Sequence, residues 1–239
     1  MKSSIIESTE KKSRMLGLAF LIQFVTSFTA GVFVIPLATG VSGFGQPDKI
    51  GVTLATIAHN SGLMRFGIFM ELFTAAGVIF LGALLYSAVR KQHEGLALTG
   101  FGLYVMGGVL IAVKMLIIFT LLVFGRQFTA AGSPASLQPM GSLLYEVMTY
   151  SSKMLNFAFC LGLTIFYALL FKERTVARPL SLWGLVSIQG ILAGVILGLF
   201  GMTAPFFLAV PYIPFELVIA VWILVKGVKK EEINAHINS

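Results

Sequence analysis

Residues 66–124 hold two apolar runs, each long enough to cross a bilayer, parted only by the turn Arg90-Lys91-Gln92-His93-Glu94. A bilayer core is about 30 Å thick, so about 20 apolar residues make one helical crossing. Inside lipid a backbone has no water to bond, and runs of this length resolve that by forming helices. The same pattern recurs along the chain, and it predicts six spans at about residues 15–38, 66–89, 95–124, 154–171, 180–202 and 206–225. The fold class is therefore all-α, a polytopic membrane helical bundle, with residues 1–239 as a single membrane domain. Composition agrees: 57% of residues are hydrophobic and 11% charged, against roughly 25% charged in soluble domains. No soluble domain is left over.

The first run is too long for a signal-peptide core, and no convincing small-residue cleavage site follows it, so it is expected to remain as a span. Between the first two spans, Ile50, Leu54 and Ile57 recur at helical spacing, which predicts a short amphipathic helix on the outer membrane surface. From Met140 the apolar positions Leu143, Leu144, Val147 and Met148 predict a second helix that begins at that surface and feeds the fourth span. Pro211 and Pro214 are expected to kink or loosen the sixth.

Six crossings put both termini on one side. The tails and the turns at 90–94 and 172–178 hold most of the Lys and Arg, while the opposite loops hold only Lys49, Arg65, Arg126 and Lys153. The basic side belongs in the cytoplasm, so a multi-pass membrane protein with both termini in the cytoplasm is expected. The formal net charge of +7 is explained by this placement, and no nucleic-acid partner is implied. The lone Cys160 sits in an apolar run, where a thiol is usually inert. His59, His93 and His236 lie in three separate segments without metal-ligand spacing. No cofactor, metal or catalytic constellation is expected.

Charges inside spans are rare and face a partner or a wet cavity. Glu71 lies about 18 residues above the cytoplasmic end of its span and Lys114 about 19 above the start of the next, roughly 27 and 28 Å up. Their helices are antiparallel, so the two reach one level in the outer leaflet, with Arg65, Lys153 and Asn156 at or just outside it. A structural ion pair is the plain reading; a ligand-binding pocket formed by Arg65, Glu71, Lys114 and Asn156 is the functional one. Lower down, Gln23, Gln189 and Glu216 each lie roughly 12–15 Å above the inner face. Here a neutral acid hydrogen-bonded to Gln23 or Gln189 stands against a titrating or ligand-binding carboxyl. Gly190, Gly194 and Gly198 share one helix face, which suits close helix packing or a homodimer. Trp183 and Trp222 sit near span ends, as an aromatic belt requires.

The block Arg65-Phe66-Gly67, then Glu71, then a leucine-rich run into Arg90 resembles the bacterial integral membrane proteins grouped as domain of unknown function 4386. So does the ending Pro214-Phe215-Glu216-Leu217, through Trp222, to Leu224-Val225-Lys226-Gly227. The resemblance covers most of the chain, from the first span to Lys226. In that family the position of Glu71 is more often Asp, and an Arg and an Asn often stand near the positions of Tyr104 and Lys114; this chain departs there. The resemblance implies a multi-span bacterial membrane protein and no activity.

The reading expected first is a non-enzymatic membrane protein that binds a small or lipidic ligand, or a partner membrane protein, through the outer-leaflet pocket. Membrane lipid is a further expected partner. A proton-coupled secondary transporter using Glu216 is the alternative, although no matching pair of broken spans appears. An accessory subunit of a larger complex is the third, and an intramembrane enzyme ranks last, since no nucleophile with its base and no metal motif is present.

Overall fold

The computed structural model describes residues 2–41, 47–91, 93–172 and 174–227, with side chains from residue 14 onward. Residues 42–46 between the first span and the helix at Ile50, Gln92, Glu173, and the tail with Lys229, Lys230 and His236 lie outside the described residues, as do the side chains of Lys2, Lys11 and Lys12.

The described residues are almost all helical, with no strand among them. Its helices are α1 (Lys2–Phe28), α2 (Ile35–Thr39), α3 (Ile50–His59), α4 (Ser61–Val89), α5 (Glu94–Ala130), α6 (Gln138–Lys172), α7 (Arg178–Leu199) and α8 (Tyr212–Lys226). Among the described residues six segments are long and apolar enough to cross a membrane: Arg14–Thr39, Ser61–Val89, Glu94–Ala130, Ala135–Lys172, Arg178–Leu199 and Phe206–Lys226. Each packs on the next in sequence, and α8 returns to pack on α1, so the bundle closes into a ring. Below, the face carrying the two ends of the chain is the terminal face and the opposite one the α3 face.

Small residues set the spacing. A Cβ on Gly17 would stand 2.7 Å from the Leu224 backbone nitrogen, so α1 and α8 meet nearly backbone to backbone. On Gly108 it would lie 3.1 Å from the Ala75 carbonyl of α4, and on Gly82 2.7 Å from Tyr104 Cβ. Without a hydrophobic drive between helices in lipid, this close packing is what holds them. Outward positions carry large apolar side chains such as Phe69, Phe73, Leu116, Val186 and Val221. Cys160 is buried at 1% exposure.

Three departures from the expected helices have local causes. In the first span a π-helical turn, Thr29–Val34, separates α1 from α2; Pro36 at the start of α2 lacks an N–H, and the hydrogen-bond ladder re-registers ahead of it. The sixth span is not one kinked helix. A 3-10 turn, Phe206–Leu208, lies along α7, and α8 starts only at Tyr212. Pro211 stands at its N-cap and Pro214 in its first turn, where a missing N–H does no harm.

The third departure shapes the α3 face. α5 and α6 have 37 and 35 residues, about 55 and 52 Å of helix, and the α3-face part of α6 is one piece with its span. Both run well past a bilayer about 30 Å thick. α3 does not rest its apolar side on lipid: it lies against these extensions, with Leu54 and Ile57 at 0% exposure. Gly125 and Gly141 seat it, since a Cβ on either would stand 2.9 Å from the Leu54 carbonyl or 2.6 Å from Leu54 Cδ1. Leu54, Ile57, Met115, Ile118, Leu121, Phe128, Tyr145 and Met148 form a core separate from that of the ring.

Candidate functional site

Polar side chains gather in three places. The first is between α4 and α5. Gly82 faces Tyr104, and Gly108 faces Ala75 and Ile79; carried toward the α3 face, this antiparallel register puts Glu71 level with Lys114. Glu71 is buried and Lys114 half-buried. They interact through space rather than by a direct salt bridge. One turn from Glu71, the buried Thr74 hydroxyl has no hydrogen-bond partner. Arg65 is not brought to this pair. Six residues before Glu71, it points about 120° away and is exposed. Asn156 is half-buried on α6 and bonds to no described residue. Lys153, one turn earlier, is the engaged polar group at this end: its Nζ donates to the Gly198 carbonyl at 2.7 Å and lies 4.3 Å from the Tyr150 ring centroid.

The second place is the ring interior nearer the terminal face, where the expected trio separates. Gln23 is buried with its Oε1 unpaired, and a Cβ on Gly77 of α4 would lie 3.1 Å from that atom. Gln189 is exposed, and its Nε2 donates to the Thr164 hydroxyl on α6 at 2.8 Å. Glu216 joins neither. It lies within electrostatic reach of tyrosines from three helices: Tyr104 of α5, Tyr167 of α6 and Tyr212 of its own α8. Phe215 packs edge-on against Tyr167 at 5.2 Å and against Trp183 at 5.7 Å, while Trp183 Nε1 donates to the Pro211 carbonyl at 3.1 Å. The tyrosines were a missed signal. Tyr favours the bilayer interface, and Tyr104 sits ten residues inside its helix.

The third place, a cleft on the α3 face, has no counterpart in the sequence reading. It is an open groove of about 1010 Å³ between the segment before α3, α3 itself and the α3-face end of α6. Its floor includes Ile50 and Phe128, and its polar rim Asp48, Lys49, His59, Gln138, Ser142 and Glu146. No three His, Cys, Asp or Glu side chains among the described residues are placed to hold a metal.

The glycine face of α7 is occupied within the chain. A Cβ on Gly190 would stand 2.7 Å from the Leu208 carbonyl, on Gly194 3.5 Å from Ala204 Cβ, and on Gly198 3.3 Å from Lys153 Cε.

A family model described as domain of unknown function DUF4386 matches residues 15–227, from the first span to the end of the last. The chain belongs to the DUF4386 family. The match takes in every span, so the ring, the buried pair and the glutamate–tyrosine group all lie within the family region, as does the cleft. No curated protein and no solved structure matches this DUF4386 member.

Proposed function

We propose that the protein is a non-enzymatic, multi-pass protein of the bacterial cytoplasmic membrane, with both termini inside, that binds a small or lipidic ligand on its outer face. The observation that carries this reading is the cleft on the α3 face. At about 1010 Å³ it is at the upper end of ordinary ligand pockets, roughly 300–1,000 Å³. It combines an apolar floor with donors and acceptors of both charges, which suits an amphipathic ligand with a polar or zwitterionic head. The ligand is assigned to the cleft rather than to the pair below it, because Glu71 is buried and Arg65 is turned away. In this reading Glu71 and Lys114 brace the walls. The distribution of Lys and Arg supports the orientation, since the terminal face carries Arg14, Arg90, Lys91, Lys172, Arg178 and Lys226.

Native mass spectrometry of protein extracted in mild detergent tests this. Wild type should carry a bound small molecule or lipid, and Ser142→Trp, which fills the cleft from an exposed position, should lose it. The double variant Glu71→Gln, Lys114→Met should keep it. Equal occupancy in wild type and Ser142→Trp would remove the cleft as the site.

A further inference from the structure

Glu216 is the one charged residue of α8 before its terminal Lys226. The buried residues Phe215, Ile219, Ala220 and Ile223 mark the inward arc of that helix. At about 100° per residue, Glu216 and Tyr212 fall in the middle of this arc, yet both remain partly accessible. Exposure in the middle of an inward arc is exposure to space inside the ring. Tyr104 and Tyr167 close that space from the other side, 3% and 0% exposed. The Tyr167 hydroxyl is buried and makes no hydrogen bond of ordinary geometry, although the Tyr212 hydroxyl is its neighbour. Among the described residues no cation is set against the carboxylate. α1 from Met15 to Phe28 contributes only neutral groups such as Gln23, and α7 from Pro179 to Leu199 only neutral ones such as Ser181 and Ser187. From α5 and α6 the titratable neighbours are Tyr104, Tyr167 and Cys160.

We propose that Glu216, Tyr104, Tyr167 and Tyr212 form an internal site for one monovalent cation, either a proton or an alkali-metal ion such as Na+. A single carboxylate without a basic neighbour is neutralised by one positive charge. A divalent ion would draw on more carboxylates, and a soft metal would draw on thiolate or imidazole. Phenolic oxygens add uncharged ligands, and the buried Tyr167 hydroxyl makes no hydrogen bond of ordinary geometry. The site is separate from the α3-face cleft and does not depend on it.

Thermal unfolding of the full chain in detergent tests the site in two arms. In one, Na+ replaces choline at constant ionic strength and alkaline pH. In the other, pH is lowered in choline alone. Wild type should gain a saturable rise of about 4 °C or more: in the sodium arm if the site takes the metal ion, in the acid arm alone if it takes only the proton. Glu216→Gln, a neutral isostere, should lose the response. Tyr167→Phe keeps the ring and removes the hydroxyl, and should move the midpoint by about tenfold in Na+, or about one pH unit, the equivalent of one lost hydrogen bond. A wild type that responds in neither arm overturns the proposal. So does a Glu216→Gln protein that responds like wild type, or, where that variant fails to fold, a Tyr167→Phe protein with an unmoved midpoint.

Discussion

Lys153 shows what a single charge does at the end of a helix here. α7 stops at Leu199, where the turn that follows covers its last carbonyls: Phe200 N–H donates to Ile196, Met202 N–H to Leu197 and Gly201 N–H to Gly198. The ammonium group donates to one of them, that of Gly198, and sits over the Tyr150 ring. A cation at a helix C-terminus is also favoured by the macrodipole. Replacing it with Met should cost about 1 kcal/mol of stability, read from denaturant unfolding in detergent; a variant as stable as wild type would show the contact to be idle. The sequence places Lys153 near the outer surface but does not name its partner, which is 45 residues away. Glu71 and Lys114 were easier. Height along a helix follows from residue count alone, and two adjacent antiparallel helices share one ladder of heights. Gln189 marks the limit of that arithmetic. It has the right height but looks out of the ring, because rotation about the helix axis depends on which face the neighbours cover.

Among the elements, α3 departs furthest from expectation. Its periodicity is legible in Ile50, Leu54 and Ile57, and an amphipathic helix beside a membrane ordinarily lies on it. What the pattern does not reveal is that α5 and α6 continue far enough to offer a protein surface instead. The clue lay in Gly125 and Gly141, two glycines on separate helices with no turn to make. Gly125→Leu should push α3 off its seat, since the new side chain would grow from a point 2.9 Å from the Leu54 carbonyl. Hydrogen exchange should then quicken across residues 50–59 and stay as in wild type across α7 and α8. Unchanged protection in α3 would mean that the seat yields without loss. The α7–α8 pair shows the opposite case. There the prolines were visible, but their effect was to delay the helix rather than bend it, as their place at an N-terminus allows.

For the molecule as a whole, the number of spans was the most legible property. Apolar length is local information, and lipid leaves the backbone few alternatives. The proposed orientation rests on the charges, and a direct measurement can check it. In intact cells an impermeant thiol reagent should label Ser142→Cys and spare Lys91→Cys, both at exposed positions, with the buried Cys160 silent in the background; the reverse pattern would invert the protein. The closed ring was not legible, because no local signal joins the first helix to the last. That joint has a consequence for synthesis. The groove on α1 that receives α8 cannot be filled until the final segment leaves the ribosome, so every shorter nascent chain shows an open flank to lipid or to an insertion factor. A chain stopped before Tyr212 is left permanently in that state, with Gly17 bare where a backbone should lie.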